Sequence, residues 1–195
     1  MITTDQIKEL RDSTGISVMQ CKRALEEAGG DKDKALLLLK KRSRDVAGKK
    51  SGRILGAGAV QAYIHSSGTI GVMVELLSET DFVAKNEDFK KIAYNIAMHI
   101  AAANPEYLKE EDISEENMQS VREMFVKEAE KEGKKEESIR NKIIQGKIDA
   151  YFSERVLMSQ PFVKNNDITI AGLVDEAVQK FGEKIEISRF VRFSI

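Results

Sequence analysis

Residues 69–77 read Thr-Ile-Gly-Val-Met-Val-Glu-Leu-Leu, a nearly continuous apolar run that constrains the fold more than any other stretch. So short a run, rich in β-branched side chains, predicts a central strand buried on both faces. Residues 58–65 precede it with an alternation, Val60, Ala62 and Ile64 against Gln61, Tyr63 and His65, and Ser66-Ser67-Gly68 supplies a tight turn between the two. That pattern is a β-hairpin. One further strand pattern lies at 184–194, where Ile185, Ile187, Phe190, Val191 and Phe193 recur. The remaining periodic segments read as helix, so the predicted class is α+β, with a three-stranded antiparallel sheet covered by helices.

Residues 1–44 read as three short helices. Thr4 is placed to cap 6–12, whose Ile7 and Leu10 share a face, and Ser13-Thr14-Gly15 breaks the chain. Ser17 is placed to cap 18–28, where Cys21, Ala24, Leu25 and Ala28 recur at helical spacing. Gly29-Gly30 ends that helix, because glycine takes a positive φ at little cost. Asp31 opens the third helix, which carries Ala35, Leu36, Leu38 and Leu39 and ends among basic residues that suit a helix C-terminus. A bundle this small buries little surface and is marginally stable alone. Residues 45–55 carry charge and two glycines without apolar periodicity, and are expected to link the bundle to a core spanning 56–195.

Within that core, 87–103 places Phe89, Ile92, Ala93, Ile96, Ala97 and Ile100 on one helical face, with Asn86 as its cap and Pro105 beyond its end. Residues 114–157 read as an antiparallel helical hairpin. Val121, Met124, Phe125 and Ala129 stripe its first arm, Gly133 is the expected break, and Ile139, Ile143, Ile144, Ile148, Tyr151 and Phe152 stripe its second. An irregular loop is expected at 158–166 around Pro161, followed by an amphipathic helix over 169–181.

Composition narrows the function. The chain has 195 residues and a formal net charge of −1, so global electrostatics do not favour nucleic acid. Residues 1–55 carry 13 lysines and arginines against 8 acidic residues, including Lys40, Lys41, Arg42, Arg44, Lys49, Lys50 and Arg53. This stretch lacks the interleaved aromatics that stack on bases, and a solvated linker explains it more simply. The single cysteine, Cys21, lies in an amphipathic pattern and is expected to be a small buried apolar residue. With His65 and His99 far apart, no zinc-type spacing exists, and neither a metal nor a cofactor is expected. Gly56-Ala57-Gly58 is followed by a strand pattern and no third glycine, which rejects a dinucleotide loop. No phosphate-cradling loop, nucleophile elbow or histidine with a partner at catalytic spacing is present, so the expectation is a protein that acts by binding. The apolar stretches are shorter than a membrane span and no signal-peptide pattern follows Met1, which points to the cytoplasm.

Residues 80–89, Thr-Asp-Phe-Val-Ala-Lys-Asn-Glu-Asp-Phe, are the candidate site. They lie between a predicted buried strand and a predicted capped helix. A bulky aromatic, Phe82, therefore falls in a short exposed connection beside the carboxylate of Asp81, held out like a wedge.

This segment closely resembles the signature of the elongation factor Ts family, the guanine-nucleotide exchange factors of bacterial-type elongation factor Tu. Three more blocks agree in family order: Glu9-Leu10-Arg11 with Thr14-Gly15 and Met19-Gln20-Cys21-Lys22-Arg23-Ala24-Leu25; Ile96-Ala97-Met98-His99-Ile100-Ala101-Ala102; and Gln160-Pro161-Phe162-Val163. The resemblance implies an N-terminal bundle of the ubiquitin-associated type. It also implies that Thr80, Asp81, Phe82 and Val83 contact elongation factor Tu and dislodge its magnesium ion. Arg11, Val18 and Met19 match positions that touch a helix of the partner's nucleotide-binding domain. His65, Met98 and His99 match positions near the partner's third domain, although a core histidine would also explain His99. Longer relatives carry two related core halves, whereas this chain has one, so a homodimer binding two partners is expected. The implied partner states are GDP-bound and nucleotide-free elongation factor Tu. The competing readings are a ubiquitin-associated-like adaptor for another protein and an RNA-binding translation protein using 40–53.

Overall fold

The first helix, α1 (Thr4–Thr14), begins with a capping box: Thr3 Oγ1 accepts from the Gln6 amide, and the Gln6 side chain accepts from the Thr3 amide. It starts two residues earlier than the apolar spacing suggests, because the cap is Thr3 rather than Thr4. Ser17 and Asp31 cap α2 (Val18–Glu27) and α3 (Lys32–Lys50) through their side chains. The computed structural model describes residues 2–131 and 136–195 of the chain. Leu10, Ile16, Cys21, Ala24, Leu25, Ala35 and Leu39 form the core of the three-helix bundle. Burial pushes the Cys21 thiol up.

Helix α3 departs from expectation. Residues 45–50, expected to belong to a linker, continue it to Lys50. Its first half faces the bundle core through Ala35 and Leu39, and its second half packs Val46 and Ala47 against the main core. Between them Ser43 is buried, and its hydroxyl lies within hydrogen-bonding distance of the Leu39 carbonyl and of Gln179 Oε1. A stripe running Leu39, Ser43, Ala47 has helical spacing but little apolar character, so periodicity did not reveal it.

The main sheet has the order β1–β2–β5, all antiparallel, from β1 (Ala57–Ile64), β2 (Ile70–Ser78) and the C-terminal β5 (Ile185–Ser194). Three helices lie on or beside one side: the single turn α4 (Asp81–Ala84), α5 (Glu87–Ala103) and α8 (Ile170–Phe181). Val72, Val74, Leu76, Phe89, Ile96, Ile100, Val178, Ile185 and Ile187 belong to the main core. A register shift at Glu75/Leu76 leaves Ser188 without a partner, so Ile187 and Phe190, three apart, both face the helices.

β2 is central but is not buried on both faces. Its outer face exposes Met73, and the adjoining strands add Val60, Ile64, Val191 and Phe193. The phase of β1 is also the reverse of a buried Val60/Ala62/Ile64 set: Ala59, Gln61 and Tyr63 are half-buried towards the helices. No second layer of this chain's described residues covers the outer face.

The helical hairpin is α6 (Glu115–Lys131) and α7 (Glu137–Ser153), with a separate core of Ala129, Ile144, Ile148, Phe152 and Val156. The break expected at Gly133 lies outside the described residues. The expected irregular loop at 158–166 is more ordered: a 3₁₀ turn, Leu157–Ser159, leads into a small hairpin of β3 (Pro161–Phe162) and β4 (Asn165–Thr169). Strands of two and five residues are too short to announce themselves by alternation. Among the described residues no helix is long and apolar enough to cross a membrane.

Candidate functional site

β2 ends at Ser78, which is fully buried and donates from Oγ to the Thr80 carbonyl at 3.0 Å. Two residues later the backbone closes α4, a helix of only four residues, Asp-Phe-Val-Ala. Val83 and Ala84 are buried, and Val83 belongs to the main core. Phe82 does not follow them: about 100° around the turn from Val83 and about 200° from Ala84, it lies on the solvent side. Phe82 is 81% exposed, more than any other phenylalanine or tyrosine among the described residues. Asn86 then caps α5, its side chain accepting from the Asp88 amide at 2.8 Å. The ring thus stands on a short turn pinned at both ends.

Thr80 occupies the N-cap position of α4 but makes no side-chain cap bond. Its hydroxyl instead donates to Glu183 Oε1 at 2.6 Å, and its amide donates to Glu183 Oε2 at 3.0 Å. Next to it, Glu79 accepts from the Lys184 amide and from Arg53 Nη1, the latter at 3.1 Å. The Lys184 amide, with Arg53 beside it, holds the Glu79 carboxyl below its ordinary value. Asp81 is exposed, and Lys85 one turn on lies 2.5 Å from it and lowers its pKa. The site therefore offers solvent an aromatic ring and an ionised carboxylate side by side.

On the bundle, Val18 and Met19 are both exposed, at 48% and 59%, in the first turn of α2, while Cys21, Ala24 and Leu25 fill the inner face. Arg11 is exposed at the end of α1, and Gly15 makes the turn between the two helices with a φ of 68°. Lys180 on α8 connects this turn to the start of α5. A Cβ on Gly15 would come within 3.3 Å of its side chain, and its ammonium pairs with Asp88 at 2.8 Å. Lys180 thus bridges the turn between α1 and α2 and the first turn of α5.

His65, Met98 and His99 lie elsewhere. Met98 is eleven residues along α5 from Glu87, about 16 Å at helical rise. His65 and Met98 line one cleft of about 540 Å³ with Tyr63, Val163, Lys164 and Arg192. His99 is not in it. It is 1% exposed, its Nε2 pairs with Gln160 Oε1 at 2.9 Å, and its Nδ1 accepts from the Val163 amide at 3.2 Å. Acceptance at Nδ1 assigns the proton to Nε2, and burial lowers the pKa of the ring. His99 is a satisfied core histidine that holds the cleft's Val163 wall. Glu79, Glu183 and Arg192 left no signal in the sequence, since each meets a partner across a long chain separation.

Against known proteins, the family description Elongation factor TS matches residues 47–195. The chain belongs to the elongation factor Ts family. It is 49% identical to elongation factor Ts of Carboxydothermus hydrogenoformans over its whole length, covering 89% of that protein. Elongation factor Ts of Heliobacterium modesticaldum is 45% identical over all of this chain and 90% of its own, and that of Moorella thermoacetica 44% over all of this chain and 96% of its own. Membership makes this chain a translation elongation factor. The relatives' matches include the three-helix bundle, which precedes most of the region matched by the family description.

Proposed function

We propose that this protein binds elongation factor Tu in its GDP-bound and nucleotide-free states and promotes GDP release, acting by binding rather than by covalent catalysis. The observation that carries this reading is Phe82, an aromatic ring left in solvent on a turn anchored by Val83 and beside the ionised Asp81. Inserted between partner side chains near the nucleotide, the ring gains ~1.5–3 kcal/mol of burial. Magnesium neutralises the charge of the diphosphate, so a wedge and a carboxylate that disturb its coordination loosen GDP. Reciprocity then requires GDP to weaken this protein's binding by the factor with which this protein weakens GDP's. Arg11, Val18 and Met19 form a second contact on the partner's nucleotide-binding domain, and His65 with Met98 a third, on its third domain. His99 acts from inside.

The open sheet face supports a homodimer and a two-to-two complex. Val60, Ile64, Met73, Val191 and Phe193 are all exposed there, an apolar set that a second copy would cover. The exchange reading is tested by loading elongation factor Tu with fluorescent GDP and adding this protein in substoichiometric amount with excess unlabelled nucleotide. Accelerated loss of fluorescence is expected; release at the intrinsic rate would contradict it.

A further inference from the structure

The geometry points to Glu183 as the positioning residue of the Phe82 wedge, an inference that rests on the exchange reading above. β2 and β5 pair as far as Ser78 and Ile185, and regular strand hydrogen bonding ends there. Beyond that end the two segments continue to hold each other by exchanging carboxylates. Glu79 accepts from the Lys184 amide, while Glu183 accepts from both the amide and the hydroxyl of Thr80. Glu79 and Thr80 are neighbours, as are Glu183 and Lys184, so the result is a reciprocal clasp of two dipeptides. Arg53 reinforces it through Glu79, and Lys50 Nζ donates to the Gly182 carbonyl at 2.7 Å.

Thr80 shows that the clasp serves more than sheet closure. A threonine at an N-cap ordinarily accepts from an amide of the first helical turn. Here α4 forgoes that bond and the hydroxyl is given to Glu183. All three polar groups of Thr80 are thereby engaged, the carbonyl by Ser78 Oγ and the Ala84 amide. The next residues are Asp81 and Phe82. With the ring itself in solvent, its direction is set by the backbone at its root, and the Glu183 carboxylate fixes that root from a distant part of the chain. Gly182, at a φ of 72°, closes α8 just before Glu183 and aims it at Thr80. Glu183 touches neither nucleotide nor partner in this account; it acts through Thr80.

The test is a double-mutant cycle on GDP release from elongation factor Tu, with Glu183→Ala, Phe82→Ala and the pair. Glu183→Ala is expected to slow stimulated release about tenfold or more, since misplacing a reacting or prying group by an ångström is costly. The double mutant is expected to be no slower than Phe82→Ala alone, because Glu183 acts only through the ring. Glu183→Gln, which retains one acceptor oxygen, is expected to recover part of the rate. Hydrogen exchange in the free protein is expected to quicken at the amides of 81–84 in Glu183→Ala, with the melting temperature within a few degrees of the parent. If Phe82→Ala slows release but Glu183→Ala leaves it unchanged, or adds a full independent decrement, this inference fails and the exchange reading stands. If Phe82→Ala has no effect, both fail. Should Glu183→Ala fold poorly, Glu183→Gln carries the same cycle, and its additivity with Phe82→Ala would equally overturn the inference.

Discussion

Phe82 and Val83 are adjacent on one helical turn, yet the first stands 81% in solvent and the second only 4%. The pair divides display from anchorage, and truncation should separate the two. Val83→Ala removes buried methyl groups and is expected to cost about 1–3 kcal/mol. At roughly 2–4 °C per kcal/mol for a chain of this size, thermal unfolding will register the loss. Phe82→Ala should leave the melting temperature nearly unchanged.

Continuity of α3 through Gly48 makes a second prediction. A Cβ at Gly48 meets nothing within 4 Å. Gly48→Ala should therefore stabilise the protein by about 0.5–1 kcal/mol, as alanine does in a helix interior. Gly48→Pro should destabilise it by about 3 kcal/mol, by removing an amide and crowding the preceding turn. Chemical denaturation measures both, and a flexible linker would accept either change with little effect.

His99 gives a pH dependence of definite sign. Its folded-state pKa lies below the unfolded value of about 6.5, because burial disfavours the imidazolium. Between those two values the unfolded chain binds the proton and the folded chain does not. The contribution is complete above pH ~6.5 and is lost as pH falls through the folded pKa. Melting temperatures from pH 7 to 5 should fall more steeply in the parent than in His99→Gln. Asp175 and Glu176, raised by burial, act in the opposite sense, so the difference between the two proteins isolates the histidine.

The outer sheet face makes a fourth prediction. If Phe193 and Met73 are covered by a second copy, Phe193→Glu places a charge in that contact and should shift a dimer to monomer. Light scattering after size exclusion at micromolar concentration reads the mass. A parent protein that is strictly monomeric there would contradict the two-to-two complex.

Much of this was legible from the residues alone. The 69–77 run placed the central strand, the 87–103 periodicity and Asn86 placed α5, and the connection between them left Phe82 outside. What escaped has physical causes. The second half of α3 packs through Ser43 and Ala47 rather than large apolar side chains, so its charge pattern resembles a linker. The alternation in β1 marks a two-faced strand without saying which face is covered, and it is the Ala59, Gln61 and Tyr63 side that meets the helices. His99 carries a polar label into the interior, and only Gln160 and the Val163 amide explain how it is tolerated. Glu183 left no mark at all, since its bond to Thr80 spans 103 residues.

Whether the exposed ring pries nucleotide from elongation factor Tu is read by stopped-flow release of fluorescent GDP with the parent and Phe82→Ala proteins side by side. Loss of ~1.5–3 kcal/mol of ring burial predicts release slowed by about one to two orders of magnitude in the variant, with its fold intact. Equal rates for the two proteins would rule out Phe82 as the prying group.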